Sequence, residues 1–115
     1  MATEFDEAQL EAITGGDVEF EREVLEEYLA SAPRDIEKVK NAITSGDATA
    51  AGAAAHGLKG ASATIGAKGF AAIALELERA GKSGDLSAAP AAFARLESEY
   101  SQLVAVLKVR IARAA

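Results

Sequence analysis

Cysteine is absent from this 115-residue chain, which excludes disulfides, thiol catalysis and thiolate metal sites. That absence fits a cytoplasmic location. Aromatic residues make up only 5% of the sequence, so the core is expected to be aliphatic and closely packed. No apolar run approaches the ~18 residues of a transmembrane helix, so no membrane span is expected. The start, Met-Ala-Thr-Glu-Phe-Asp-Glu, is acidic and unlike the basic leader of a signal peptide. Basic charge is also in deficit. The net charge of −6 argues against nucleic-acid binding, which needs a basic surface. Histidine occurs once. One histidine without cysteine makes a poor metal or haem site, so no cofactor of its own is expected.

What is present is a helical pattern. Half of the residues are hydrophobic, many of them alanine, a strong helix former. The length suits a single domain spanning 1–115. The pair Gly-Asp occurs at Gly16-Asp17, Gly46-Asp47 and Gly84-Asp85. Glycine adopts the left-handed conformation that ends a helix, and aspartate caps the next. These pairs predict three helix-to-helix corners, and Gly66 predicts a fourth break. A short first helix is expected over about Glu7–Ile13, with Asp6 and Gln9 at capping-box spacing. A long second helix, about Val18–Ser45, carries Leu25, Tyr28, Leu29, Ala32, Ile36, Val39 and Ile43 at helical spacing. Pro33 predicts a kink or fresh start within it. The third is expected over about Ala48–Ile65 and the fourth over about Lys68–Gly81, burying Phe70, Ile73 and Leu77. The last, about Ser87–Arg113, has Phe93, Leu96, Tyr100, Leu103, Leu107 and Ile111 in a bundle seam. Nothing reads as a strand. Short corners force antiparallel neighbours. The expected fold is all-α: an up-and-down antiparallel four-helix bundle with a short N-terminal capping helix.

Charge is unevenly distributed. Residues 1–45 hold twelve acidic and four basic side chains, whereas residues 46–115 hold six acidic and eight basic. His56 lies in the second part, where an added anion or an acidic partner surface is tolerated. On a helix, residues three and four positions on share a face. Lys59 and Gly60 therefore sit beside His56, one a cation and the other a patch without a side chain. Imidazole is nucleophilic and uncharged near neutral pH. Ala54, Leu58, Ala61 and Ile65 are expected inward, and Gly52, His56, Lys59, Gly60 and Ala63 on the other side. Gly52, Gly57 and Gly60 each cost roughly 1 kcal/mol relative to alanine in a helix. Close helix packing could explain Gly52 or Gly57, but it explains an outward-facing Gly60 poorly. A local rule broken without structural gain is the mark of a functional site.

The run His56-x-Leu58-Lys59-Gly60-x-Ser62-x-x-x-Gly66-Ala67 resembles the signature of histidine-containing phosphotransfer (HPt) domains of bacterial phosphorelays. The likeness continues through Leu77, Glu78, Lys82 and Gly84-Asp85-Leu86. It implies that His56 accepts a phosphoryl group from a receiver-domain aspartate and passes it to another receiver. Lys59 then becomes the first candidate to hold phosphoryl oxygens and Lys82 a second. Glu78 either accepts from the imidazole Nδ1–H or pairs with Lys82 on its own helix. Ser62 reads as local packing or a bond back to its own helix. Gly52, Gly60, Ala63 and Lys68 are candidate partner-facing residues, although Lys68 also suits a cap at the Gly66 break. Gly57 follows the histidine where the family commonly has a larger residue.

The implied partners are response-regulator receiver domains and a hybrid histidine kinase. Mg²⁺ is expected in the receiver, and the carrier is expected to be monomeric. No glycine-rich phosphate loop is present, so a phosphocarrier without autonomous kinase activity is expected. The rival reading is a non-catalytic helical adapter binding a signalling partner through the same small-residue face. A kinase dimerisation and phosphoacceptor module usually places an acidic residue after its histidine, and here Gly57 follows.

Overall fold

Glycine and aspartate set the helix ends much as their pairing predicts. The computed structural model describes residues 4–114; residues 1–3 of the acidic start and residue 115 lie outside that range. Five helices follow in order: α1 (Glu7–Thr14), α2 (Val18–Ser45), α3 (Ala48–Thr64), α4 (Lys68–Ser83) and α5 (Ala89–Ala114). No strand occurs among the described residues. Gly15, Gly46 and Gly84 stop α1, α2 and α4 in the left-handed conformation. The side chains of Asp6, Asp17 and Asp47 accept from the backbone N–H groups of Gln9, Phe20 and Ala50, capping α1, α2 and α3. Each such cap contributes about 1 kcal/mol.

The third Gly-Asp pair behaves differently. Asp85 accepts from the Ser87 N–H at 2.9 Å and shapes a turn. The last helix therefore begins at Ala89 rather than near Ser87. The fourth runs on to Ser83, because Gly84 and not Gly81 is its left-handed stop. Pro33 does not give the helix a fresh start, since residues 18–45 form one continuous helix. Proline removes one bond to the preceding turn. Buried Leu25, Tyr28 and Ala32 before it, and Val39 and Ala42 after it, anchor both halves to one core.

Helices α2 to α5 form a four-helix ring in which each backbone lies close to those of its two neighbours. Helix α1 lies across α2 and α3 as a cap. The Asp6 N–H donates to the Gly66 carbonyl at 2.7 Å, and the Gly69 N–H to the Glu4 carbonyl at 3.0 Å. The N-terminal arm is thus tied to the α3–α4 corner. At the α1–α2–α5 end, Arg110 pairs with Glu7, Glu11 and Glu21. Leu10, Leu25, Leu58, Phe70, Leu77, Leu96, Leu103 and Leu107 are fully buried in one core cluster. Phe70 and Tyr100 stack obliquely with centroids 5.6 Å apart. No helix among the described residues is long and apolar enough to cross a membrane.

The rotation of α3 corrects the expected faces. Leu58 and Ile65 are buried and Ala54 packs half-buried against the core, but Ala61 is exposed. Ala51, Gly52, Ala55 and Ser62 turn inward instead. A helix built of alanine and glycine has little apolar asymmetry, so specific contacts decide its rotation. One is a buried hydrogen bond of 2.7 Å between the Ser62 and Tyr28 hydroxyls, joining α3 to α2. The other is the close approach of Gly52 to Gly81 on α4.

Candidate functional site

The rotation of α3 sends the His56 side chain outward, 66% exposed. Glu78 on α4 lies opposite and is 2% exposed. A buried carboxylate is costly unless paired, and three side chains converge on this one. His56 Nδ1 lies 2.9 Å from Oε2. Lys59 Nζ lies 2.7 Å from Oε1, and Lys82 Nζ 2.8 Å from Oε2. Each side chain is placed by helix geometry. Lys59 follows His56 at i+3, Lys82 follows Glu78 at i+4, and antiparallel packing of α3 on α4 brings the pairs together.

The two lysines decide the ionisation of Glu78. Lys59 foremost, then Lys82, with a further contribution from His56, hold its carboxyl down to about 2 against the opposing effect of burial. An ionised carboxylate only accepts hydrogen bonds. The Nδ1 of a neutral His56 must therefore carry the proton, which leaves Nε2 with its lone pair free. Two ammonium groups on one carboxylate leave an excess positive charge beside that nitrogen. Glu78 thus stands within hydrogen-bonding distance of both the imidazole and Lys82.

Around this centre the surface is nearly bare. Gly60 and Ala63 are exposed on α3. A methyl group added at Gly60 or Gly57 would meet no atom within 4 Å. Beside the imidazole a shallow groove runs between α3 and α4, lined by Thr49, Gly52, Ala53, His56, Gly81 and Lys82.

Of the expected partner-facing residues, Gly52 lines this groove without being exposed, and Lys68 lies elsewhere. Gly52 is buried, with its Cα directed at the Gly81 backbone. It faces α4 rather than a partner, and a methyl group there would make only ordinary contact with the Gly81 backbone. Lys68 starts α4 at the far end of α3 and pairs with Asp6 at 2.9 Å. It joins the cap and not the histidine cluster. Two other features escaped the sequence reading. Ser62 bonds to Tyr28 across the core rather than to its own helix, and no local spacing reveals a partner 34 positions away. Gly81 lies inside α4 rather than at its end. Its signal was available, because an interior glycine carries a propensity cost. Among the described residues, no group of three His, Cys, Asp or Glu side chains could hold a metal ion.

Comparison with known proteins gives two matches. A family model described as the Hpt domain matches residues 23–106. Among solved structures, the chain is similar to the crystal structure of histidine-containing phosphotransfer protein B (HptB) from Pseudomonas aeruginosa PAO1. Identity is 26%, the similarity covers 98% of each chain, and the TM-score is 0.91. A search of curated proteins gave no match.

Proposed function

This chain belongs to the Hpt domain family, and from that premise we propose that His56 carries the phosphoryl group. The chain acts as a histidine phosphotransfer intermediate of a two-component phosphorelay, a phosphocarrier rather than an autonomous enzyme. Domains of this family work with receiver domains and hybrid kinases. The observation that carries the assignment of His56 is its Nδ1 contact with buried, ionised Glu78, which turns Nε2 to solvent.

In the proposed step, the Nε2 lone pair attacks the phosphorus of an aspartyl phosphate on a receiver. A P–N bond forms and the P–O bond to the aspartate breaks, returning a carboxylate. The ring keeps its Nδ1 proton and becomes cationic, and Glu78 faces that charge. Lys59 and Lys82 are the cations within reach of the phosphoryl oxygens. The reverse step passes the group to a second receiver. Phosphoryl transfer of this kind depends mainly on positioning and charge stabilisation. The receiver is expected to bring Mg²⁺. Gly60 and Ala63 form the bare surface on which it docks. The reading takes 1–115 as one HPt-like domain, monomeric and cytoplasmic.

The test is His56→Gln. The side chain is exposed, so the variant is expected to keep its helical circular dichroism and accept no phosphate from a phosphorylated receiver. Normal acceptance by a folded variant would favour the non-catalytic adapter.

A further inference from the structure

The close crossing of α3 over α4 bears on the chemistry as well as the packing. Gly52 lies one turn before His56 on α3, and Gly81 lies one turn after Glu78 on α4. At the crossing the two backbones approach almost directly. A methyl group added at Gly81 would overlap the Gly52 nitrogen. It would also lie 2.5 Å from the Gly52 Cα and 2.7 Å from the Ala48 carbonyl oxygen. All three obstructions are backbone atoms, so no side-chain rotation relieves them. The helices would have to separate or slide. The reciprocal site is different: a methyl at Gly52 would lie 3.4 Å from the Gly81 Cα and 3.5 Å from the Glu78 carbonyl oxygen. That is ordinary contact.

We infer that Gly81 is a positioning residue for phosphotransfer, setting the α3–α4 spacing at which Glu78 reaches the His56 Nδ1. The inference rests on the proposed role of His56, but its geometry stands alone. The Glu78–Nδ1 contact is 2.9 Å long, and the carboxylate is held at the same time by Lys59 at 2.7 Å. Both carboxylate oxygens are engaged, so Glu78 cannot follow one partner without leaving another. Moving the α4 backbone outward by about 1 Å takes this hydrogen bond beyond its useful range. Without an ionised acceptor at Nδ1, the neutral ring is free to place its proton on either nitrogen. The fraction with a free Nε2 lone pair then falls, and the ring loses its fixed direction. Misplacement on this scale can slow a reaction by about a hundredfold.

The protein suits a direct test, because its one histidine gives one pair of imidazole ¹⁵N signals. In the wild type at neutral pH, these should report a protonated Nδ1 and an unprotonated Nε2. In Gly81→Ala, the expected result is a shift towards a mixture of tautomers, with transfer from a phosphorylated receiver slowed about a hundredfold. Gly52→Ala should retain the Nδ1–H signature, since its methyl fits. A folded Gly81→Ala that keeps both the signature and the wild-type rate would overturn the inference. If Gly81→Ala does not fold, Glu78→Asp decides the matter. It withdraws the carboxylate by one methylene while leaving the crossing intact, and retention of the wild-type tautomer there would overturn the inference equally. Failure of the wild type to accept phosphate would count against the role of His56, while the tautomer comparison would still judge the positioning.

Discussion

Gly60→Gln separates docking from folding. Gly60 is exposed, lies one turn beyond His56 on the same face, and has open space where a Cβ would be. The new side chain therefore meets no strain within the protein. Glutamine has better helix propensity than glycine, so the substitution should stabilise the fold by about 0.5–1 kcal/mol. For a domain of this size that raises the melting temperature by about 2–6 °C. A receiver must nevertheless bring its aspartate to bonding distance of Nε2 across this same surface. Inserting a side chain into a close interface costs about 1–3 kcal/mol, which weakens receiver binding about five- to 150-fold. Phosphoramidate is small and needs no docked surface, so it should still phosphorylate His56 in the variant. Thermal melts, titration calorimetry and phosphoramidate labelling read the three effects separately. Gly57→Ala, also open to solvent, should share the gain in stability. Unchanged receiver affinity combined with a large loss of stability in Gly60→Gln would refute the reasoning.

Three further outcomes are expected. Lys59→Ala should slow transfer and shorten the lifetime of the phosphohistidine, because one charge-assisted contact worth about 1.5–3 kcal/mol is lost; rates and lifetimes equal to wild type would remove Lys59 from the phosphate site. Tyr28→Phe and Ser62→Ala should each cost about 1–3 kcal/mol by leaving a buried hydroxyl unpaired. The double variant should cost less than their sum, and strict additivity in denaturant melts would show that the pair is not coupled. The Glu78 carboxyl lies at about 2 in the folded protein against 4.5 for an ordinary glutamate. Its stabilisation is therefore complete above about pH 4.5 and is lost as pH falls through about 2. Glu78→Gln lacks this contribution, so its stability should fall less steeply over that interval; acid melts with identical slopes would contradict the ion cluster.

The helices and their order are legible in the sequence because their ends are chemically marked. Gly46 and Asp47, for example, supply the left-handed stop of one helix and the side-chain cap of the next. The seam of α5 is equally plain, since Phe93, Leu96, Leu103 and Leu107 are apolar at helical spacing and all are buried. The rotation of α3 is less legible. Its alanines hardly distinguish inside from outside, so helical spacing alone points Ala61 inward and Gly52 outward. Two long-range contacts, Ser62 with Tyr28 and Gly52 with Gly81, fix the opposite arrangement. Within the cluster, the i+3 and i+4 neighbours Lys59 and Lys82 could be named from spacing or resemblance. Their convergence on one buried carboxylate could not, because it depends on how closely α3 and α4 pack. Lys68 shows the converse: a cation near the motif in sequence is drawn away by Asp6 in the folded chain.

The central claim is that phosphate resides on Nε2 of His56. The most direct test is to incubate the ¹⁵N-labelled protein with a phosphorylated receiver and locate the bond by ³¹P–¹⁵N coupling. The expected product carries an acid-labile, alkali-stable phosphate coupled to Nε2 of the single imidazole, with Nδ1 still protonated towards Glu78. Phosphate on Nδ1, phosphate on any other residue, or no transfer at all from receivers that phosphorylate other HPt domains would contradict the account.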